Sequence, residues 1–162
     1  MLCEYNQLTS LNVSGCAALT GLRCVDNQLT SLDVSGCTAL TEFRCYSNQL
    51  TSLNVSGCIA LTELNCGSNK LASLNVSGCT ALTELSCNFN QLTGLDVNGC
   101  IAMDELRCYS NQLTGSALNA LFATLHSNTE SKWIYMGNNP GTKGCDKSIA
   151  TNKGWRINDN IY

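Results

Sequence analysis

Cysteine is the residue type with the most chemistry to offer in this sequence, since it supplies 12 of the 162 residues. Cysteines can form disulfides, bind zinc as thiolates, or pack in a core as small apolar side chains. Most of them recur every 21 residues in two interleaved series, which are Cys3, Cys24, Cys45, Cys66, Cys87, Cys108 and Cys16, Cys37, Cys58, Cys79, Cys100. A strict period means that the structural elements carrying the thiols are themselves repeated.

The repeated element can be read from one unit, which runs from Leu19 as L-x-x-L-x-C-x-x-N-x-L-x-x-L-x-V-x-G-C-x-A. The alternation in Leu22-x-Cys24 predicts a short strand with one buried face, and Leu32-x-Val34 predicts a second strand. A single unit buries too little apolar surface to offset the entropy lost by ordering its residues. Units must therefore stack, with each strand parallel to the next at a spacing of about 4.8 Å.

The first half of this unit resembles the leucine-rich repeat, with cysteine in place of the third apolar residue and asparagine at its usual position. In particular, the unit is similar to the internalin-type repeats of bacteria that have this length and carry a cysteine ladder. The resemblance is specific over residues 1–115 and looser beyond them. It implies a leucine-rich-repeat solenoid that is mostly β, with a parallel β-sheet on the concave side and short second strands on the other wall. The asparagines at this position are Asn6, Asn27, Asn48, Asn69, Asn90 and Asn111.

The chain is expected to form one domain, with tandem repeats in residues 1–115 and a helical C-terminal cap in residues 116–162. The strand pattern returns twice in this cap, as Ile134-x-Met136-x-x-Asn139 and, 21 residues later, as Trp155-x-Ile157-x-x-Asn160-x-Tyr162. We therefore expect about eight coils, with the last strand aligned on the previous one at this spacing.

Two helices are predicted within the cap. Ser116 is expected to be the N-cap of the first helix. The apolar face of that helix would be formed by Leu118, Leu121, Phe122 and Leu125. Thr142 or Asp146 is expected to begin the second helix, which would end at Gly154. Inside the second helix we place Cys145 and Ile149.

Disulfides, a metal site and core packing are three interpretations of the cysteines. Neighbouring thiols on in-register strands would be about 4.8 Å apart, whereas the Cβ atoms of a disulfide are about 3.8 Å apart. Zinc sites use closely spaced C-x₂₋₄-C pairs, but successive cysteines of the two series are 8 and 13 residues apart in alternation. We therefore expect buried, reduced thiols in both ladders and no metal or cofactor, with Cys145 as the most exposed or reactive cysteine.

The asparagine column is also expected to be structural. Each coil must bend after its strand, which leaves backbone N–H and C=O groups without strand partners. A buried asparagine amide offers both donors and an acceptor, so it can bridge these groups within and between coils. The ladder residues assigned to this framework are Cys24, Cys45, Cys66, Cys87, Asn27, Asn48, Asn69 and Asn90.

The variable positions of the repeat are the candidates for ligand binding, because the fold does not dictate residues that change from coil to coil. Three variable columns accompany the first strand, and in one coil they are Arg23, Val25 and Asp26. These columns hold most of the arginine and aromatic residues, which are enriched in binding hot spots. The candidate binding residues on the concave face are Arg23, Arg44, Tyr46, Phe89, Arg107 and Tyr109.

A solvated, ion-paired surface is the competing interpretation of this face. A glutamate column lies two residues before the arginine column, so Glu42 is expected to pair with Arg44, and Glu105 with Arg107. Exposed pairs of this kind contribute about 0.2–1 kcal/mol each and keep a sheet soluble. The sequence leaves both interpretations open.

Several classes of function are not expected. The net charge of −3 and the charged fraction of 13% give no basic surface for nucleic acid or an anionic membrane. Apolar runs are too short for insertion into a membrane. The single histidine, His126, has no nucleophile at motif spacing, and neither a phosphate-binding loop nor a nucleophile elbow is present. We therefore do not expect an enzyme.

The resemblance implies a secreted or cell-surface bacterial protein that binds a protein or glycan partner through its concave sheet. Two other functions stay open: a purely structural repeat module of a longer surface protein, and the recognition domain of an intracellular effector. Met1 occupies the column of Leu22, so the first coil has no cap in this sequence. We expect either that this coil continues a longer protein or that it mediates a homodimer.

Overall fold

The computed structural model describes residues 1–128 and 131–160. Short strands make up most of its regular structure. In chain order the elements are β1 (Gly21–Arg23), β2 (Ser31–Asp33), β3 (Glu42–Arg44), β4 (Ser52–Asn54), β5 (Glu63–Asn65), β6 (Glu84–Ser86), β7 (Glu105–Arg107), α1 (Gly115–Thr124), β8 (Lys132–Tyr135), α2 (Ser148–Thr151) and β9 (Trp155–Asn158).

The main sheet has seven strands in the order β1-β3-β5-β6-β7-β8-β9. All of its strand pairs are parallel, and Leu22 of β1 lies opposite Phe43 of β3, one repeat later. Leu2 forms an isolated bridge with Arg23 and so supplies the coil before β1. The described part of the chain therefore passes through eight coils, the number predicted. This architecture confirms the expected leucine-rich-repeat solenoid.

The last strand, β9, is aligned differently from the prediction. Ile157, rather than Trp155, lies opposite Ile134, and Trp155 pairs with Lys132. The predicted alignment is thus wrong by two residues. A shift of two keeps the same side chains on each face, because the side-chain period of a strand is two. Trp155 and Ile157 accordingly still pack in the core. Tyr162, the last position of the predicted pattern, lies outside the described residues.

Short second strands lie on the other wall of the coils, as expected. Strand β2 pairs with β4 in parallel, with Leu32 opposite Leu53. Further along, Asn75 forms an isolated bridge with Asp96. Leu32 is buried in this wall, as is Val34, which follows the strand. The second half of each repeat therefore closes the core opposite the main sheet.

Both cysteine ladders lie inside the coils. The buried free thiols are Cys24, Cys37, Cys45, Cys58, Cys66, Cys79, Cys87, Cys100 and Cys108. For these residues the prediction of burial is confirmed. Cys16 is exposed, however, whereas Cys3 and Cys145 are partly buried. The expectation that Cys145 is the most exposed cysteine is therefore wrong. Cys37 packs its thiol against the Val13 carbonyl oxygen of the preceding coil, whereas Cys16 lies in the first of the described coils.

Burial should control the reactivity of these thiols. It raises the pKa of Cys66 and Cys108 to about 12 and that of Cys58 to about 11, because the thiolate loses its hydration. Since the thiolate is the reactive form, we expect the folded chain to show one fast phase of thiol labelling at pH 8, from Cys16. The fast phase should disappear in Cys16→Ser and persist in Cys145→Ser. Its survival in Cys16→Ser would show that another thiol is open to reagent.

The asparagine column holds successive coils together, as predicted. The Asn69 amide donates to the carbonyl oxygens of Cys66 and Gly67 in its own coil and of Cys45 in the preceding coil, each at 3.1 Å. Its side-chain oxygen accepts the backbone N–H of Leu50 at 2.9 Å. The same pattern recurs at Asn27, Asn48, Asn90 and Asn111. These amides satisfy backbone groups at the bend of each coil.

The first helix of the cap begins two residues before the predicted position. Thr114 has an extended backbone, and its hydroxyl oxygen accepts the backbone N–H of Ala117 at 3.2 Å. Thr114 is therefore the N-cap of α1, and Ser116 lies inside the first turn, where its own backbone is already helical. The predicted apolar face is confirmed, because the buried residues include Leu118, Leu121, Phe122 and Leu125.

The second helix is a single turn, shorter than predicted. It spans Ser148–Thr151, and the chain turns away at Gly154, which has a φ of 83°. Asp146 accepts the backbone N–H of the first residue of α2 at 3.0 Å and fixes the start of this turn. Thr142 forms its hydrogen bonds outside the helix. Cys145 consequently lies before α2 and not inside it.

Two lysines join the elements of the cap. Lys153 Nζ donates to the carbonyl oxygens of Phe122 and Leu125, at 3.1 and 2.8 Å, and so satisfies the end of α1. Lys132 is buried, donates to the Lys153 carbonyl at 2.9 Å and lies 5.5 Å from the Trp155 ring centre. Burial lowers the pKa of Lys132. The cap is thus fixed by polar contacts that the repeat pattern does not reveal.

Candidate functional site

The outward residues of the main sheet form two rows that run across the strands. We use the term sheet face for these rows together with the residues directly after each strand. The acidic row consists of Glu42, Glu63, Glu84 and Glu105 and continues with Trp133 and Arg156. The arginine row consists of Arg23, Arg44, Asn65, Ser86 and Arg107 and continues with Tyr135 and Asn158. Parallel pairing places successive members about 4.8 Å apart.

Ion pairs neutralise much of the charge on the sheet face. The predicted pairs of Glu42 with Arg44 and of Glu105 with Arg107 are both present. Arg23 also lies 2.7 Å from Glu42, across the strand pair, which the sequence analysis did not anticipate. These side chains are about a third exposed, so each pair contributes no more than about 1 kcal/mol. The N-terminal part of the sheet face therefore matches the ion-paired interpretation.

Glu84 differs from the other glutamates of the acidic row. Among the described ion pairs none involves Glu84, because Asn65 and Ser86 occupy the adjacent positions of the arginine row. Partial burial raises the pKa of Glu84, and the negative charges of Glu105 and Glu63 raise it further. Like charges opposite each other on neighbouring strands repel. The middle of the sheet face therefore carries a negative charge that takes part in none of the described ion pairs, although the nearby charge of Arg107 offsets part of the repulsion.

Phe89 is one of two aromatic residues at the left-handed position of the turns that follow the strands, the other being Tyr5 in the first coil. Phe89 is 47% exposed, and its φ of 51° lies in the left-handed region. Its ring packs edge-on against Tyr109, with the ring centres 5.3 Å apart. The Asn88 amide donates to the Tyr109 hydroxyl at 3.1 Å and so holds that ring. The equivalent residues that share this backbone conformation are mostly short and polar: Asp26, Ser47, Ser68, Ser110 and Asn138.

The column directly after the cysteines is more buried than predicted. Val25 is 1% exposed and packs in the protein. The expectation that it is available to a ligand is therefore wrong. Tyr109 is 8% exposed and presents only its outer part. Crowding between coils explains this, since a Cβ added to Gly67 would lie 2.9 Å from the Asn88 side-chain oxygen. This column therefore contributes to the sheet face only where a long side chain reaches past its neighbours.

Two hollows open on the sheet face. The first, the inner hollow, has a volume of about 240 Å³ and lies between Tyr46 on one side and Arg107 and Tyr109 on the other. Amide and hydroxyl groups supply most of the rest of its lining, which consists of Asn65, Gly67, Ser68, Ser86 and Asn88. Such groups both donate and accept hydrogen bonds, so the inner hollow suits a polar group of a ligand.

The second hollow, the cap hollow, has a volume of about 440 Å³ and lies where the repeats meet the cap. The Trp133 and Tyr135 rings stack there, with their centres 6.1 Å apart. The guanidinium of Arg107 lies 5.5 Å from the Tyr135 ring centre, and that of Arg156 lies 5.4 Å from the Trp133 ring centre. Cation–π attraction holds both arginines in place. The lining is completed by Tyr109 and Asn158.

Comparisons with known proteins agree with this architecture. No protein-family model matches the chain, and no curated protein matches its sequence. Among solved structures, the chain is similar to the functional domain of InlJ from Listeria monocytogenes, which includes a cysteine ladder. The two are 31% identical, the match covers 93% of this chain, and the TM-score is 0.60. This chain has the fold of an internalin-like leucine-rich-repeat solenoid. It spans 41% of the length of the InlJ chain.

The structure places the six candidate residues in two separate groups. One group meets at the inner hollow and comprises Tyr46, Arg107 and Tyr109, with Phe89 packed on Tyr109. The other group, Arg23 and Arg44, belongs to the ion-paired part of the sheet face and lines neither hollow. The structure therefore narrows the candidate site of the solenoid to its central and C-terminal coils. Ligand binding by these residues stays a prediction.

Three residues that line the cap hollow were absent from the predicted site: Trp133, Tyr135 and Asn158. Arg156, whose guanidinium lies over the Trp133 ring, was absent from it as well. A signal for Trp133 exists in the sequence, because aligning Ile134 with Leu106 puts tryptophan in the glutamate column. Arg156 and Asn158 could not be placed from the sequence, since their positions depend on the alignment of β9.

Two features of the described part of the solenoid bear on metal and proton chemistry, namely its metal-binding side chains and the contacts of its histidine. Within residues 1–128 and 131–160, no three histidine, cysteine, aspartate or glutamate side chains are placed to hold a metal ion. His126 lies in the cap, where Nε2 is 2.6 Å from the Met103 carbonyl oxygen and the ring contacts Trp155. These contacts assign it a role in packing. No described helix has the length and apolar character needed to cross a membrane.

Proposed function

We propose that this chain is a non-enzymatic binding module of a secreted or cell-surface bacterial protein and recognises a protein or glycan ligand through its sheet face. The similarity to the functional domain of InlJ supports a repeat scaffold of this kind. In such a scaffold the ladders maintain the fold, whereas the sheet face varies from coil to coil. Variation on a regular scaffold is how repeat proteins distinguish ligands.

Phe89 carries this proposal. A left-handed backbone costs a residue other than glycine or asparagine about 1 kcal/mol or more, and 47% of this apolar side chain faces water. The turn imposes this backbone in every coil, but folding does not require the exposed apolar side chain, because Ser47, Ser68 and Ser110 occupy the same position with the same backbone. A residue that opposes folding where serine suffices is expected to serve binding.

The arrangement of the two hollows also supports ligand binding. Arg107 and Tyr109 line both hollows and so lie between them. A ligand that lies across the strands would place one group in each hollow and contact Arg107 in between. Tyrosine, tryptophan and arginine are the residues that most often dominate binding energies. Because Asn88 and the stacked rings already hold these side chains, binding would cost little further entropy.

The test is to screen the purified chain on a glycan array and on a panel of immobilised extracellular proteins, and then to repeat each positive measurement with Phe89→Ser. This variant installs the residue that other coils use, so the fold should be retained. We expect the dissociation constant to rise at least about tenfold, as for loss of an aromatic anchor.

The matched control for this experiment is Ile59→Thr. Ile59 is 62% exposed and lies outside the sheet face, in a column where Thr38 and Thr80 occur. Both variants thus replace an exposed apolar side chain by the repeat's own polar residue. Ile59→Thr should bind normally. Equal losses in the two variants, or normal binding by Phe89→Ser, would place the ligand elsewhere. Failure to bind any probe would favour a purely structural repeat module.

A further inference from the structure

The acidic row changes its charge along the solenoid. Glu84, Glu105, Trp133 and Arg156 lie in one line across β6, β7, β8 and β9, each opposite the next. Glu105 is neutralised by Arg107. The two ends of this line, Glu84 and Arg156, take part in none of the ion pairs found in residues 1–128 and 131–160. One end therefore presents a negative charge and the other a positive charge.

Both end residues are accessible and their spacing is fixed. Glu84 and Arg156 are exposed, and three strand spacings of about 4.8 Å separate their positions by about 14 Å. Trp133 lies between them in the row, with the guanidinium of Arg156 over its ring. The row thus offers a carboxylate at one end and, at the other end, a guanidinium held against an aromatic ring.

We infer that the sheet face binds an extended segment of a partner protein, which places a basic side chain against Glu84 and an acidic side chain against Arg156, with an apolar side chain between them. This inference rests on the proposed function, because it specifies the ligand of the same surface. An extended chain advances about 3.4 Å per residue. The basic and acidic residues of the segment should therefore be four positions apart, a span of about 14 Å.

A protein segment fits this charge pattern better than a glycan. Neutral sugars carry no charge, and acidic sugars offer only a negative group, which would pair with Arg156. A polypeptide supplies both signs of charge and an apolar group within a few residues. Strands β6, β7 and β8 are hydrogen-bonded on both sides, so the segment cannot bind there by adding a strand. Recognition must go through side chains, and the charges would then set its specificity.

The probes for the test are four fluorescent ten-residue peptides. Each peptide has leucine-tyrosine-leucine between its two variable positions. In the first peptide these positions carry lysine and aspartate, in the second two aspartates, in the third two lysines, and in the fourth two glutamines. A further lysine and aspartate peptide has the two residues only two positions apart. Fluorescence anisotropy at low salt would measure each dissociation constant. The unmodified chain should prefer the lysine and aspartate peptide with the longer spacing, by about fivefold over the glutamine peptide.

Charge reversal at each end should change this preference in a defined way. Glu84→Lys makes both ends positive, so the chain should prefer the peptide with two aspartates. Arg156→Glu makes both ends negative, so it should prefer the peptide with two lysines. We expect each reversal to weaken binding of the lysine and aspartate peptide about tenfold. Both residues are exposed, and Glu84→Lys also removes repulsion from Glu63 and Glu105, so the variants should remain folded.

The outcomes separate this inference from the proposed function. An unchanged ranking of the peptides in both variants, or equal binding of the glutamine peptide, would overturn the inference. So would the absence of binding to any peptide. If the chain then binds a glycan and loses it in Phe89→Ser, the proposed function holds while the inference fails. If neither peptides nor the array and protein panel show binding that depends on Phe89, both fail.

Discussion

Asn69→Ala is expected to lower the free energy of unfolding by about 3 kcal/mol. The substitution removes the acceptor of the buried Leu50 N–H, which has its hydrogen bond at 2.9 Å to the Asn69 side-chain oxygen. A buried N–H without a partner costs about 1–3 kcal/mol. The Cys45 and Cys66 carbonyls lose one donor each but keep another, from the neighbouring asparagines Asn48 and Asn90. Most of the loss should therefore come from the single orphaned donor.

The matched control is Asn75→Ala, which makes the same chemical change six positions along the chain. Asn75 is exposed, and its side-chain oxygen accepts the Ser77 N–H at 2.9 Å. Water can replace that bond, so the loss should stay below about 1 kcal/mol. Urea denaturation followed by circular dichroism measures both variants. Similar losses for Asn69→Ala and Asn75→Ala would mean that the buried asparagine column does not join the coils as its hydrogen bonds indicate.

The periodic part of the fold was predictable because every coil has the same surroundings. A buried column such as that of Cys24 and Cys45 must repeat one small apolar residue, since each thiol packs against equivalent atoms of the coils on both sides. The asparagine column repeats for the same reason, because the bend of each coil exposes the same backbone groups. The period therefore predicts the architecture, the number of coils and which residues belong to the framework. Its exceptions, the exposed Cys16 and the partly buried Cys3, both lie in the first of the described coils.

The cap was less predictable because its coils leave the period. In β9 the buried residues alternate with exposed ones, so a slip of two residues produces the same pattern and pairing alone decides between the alternatives. That decision has consequences for the surface, since it moves Arg156 next to Trp133 and Asn158 next to Tyr135. The cap hollow could therefore not be assembled from the sequence, although its residues were visible in it.

The sequence predicted the sheet face as a whole. It did not predict which part of that face is ion-paired and which part presents charge. Arginines and glutamates in adjacent columns indicate ion pairs, and the sequence cannot say which arginine reaches which strand. The structure shows Arg44 shared between Glu42 and Glu63. Glu84 has no such partner, because Asn65 and Ser86 replace the arginine in the preceding coil and in its own. Where repeats carry complementary charges the face is self-neutralised, and where they do not it presents charge to a ligand. The candidate site thus lies where the columns lose their regularity.

Gly141→Ala is expected to destabilise the cap by about 3 kcal/mol. Gly141 lies in the connection from β8 to α2, and its backbone N–H donates to the Leu113 carbonyl at 2.8 Å. A methyl group at this position would overlap with the backbone of Thr114 and Gly115, at the start of α1. Backbone atoms cannot rotate away as a side chain can, so the connection must move outward and the hydrogen bond to Leu113 must break.

A control for this effect lies three residues away, because a Cβ added to Gly144 would meet no atom within 4 Å. Gly144→Ala should change stability by no more than about 0.5 kcal/mol. Urea denaturation gives the global difference, and hydrogen exchange in α1 shows whether the cap loosens before the repeats unfold. We expect faster exchange in α1 of Gly141→Ala and unchanged exchange in β3 and β5, since each coil contacts only its neighbours. Equal stability of the two alanine variants would mean that the connection does not pack on the start of α1 in solution.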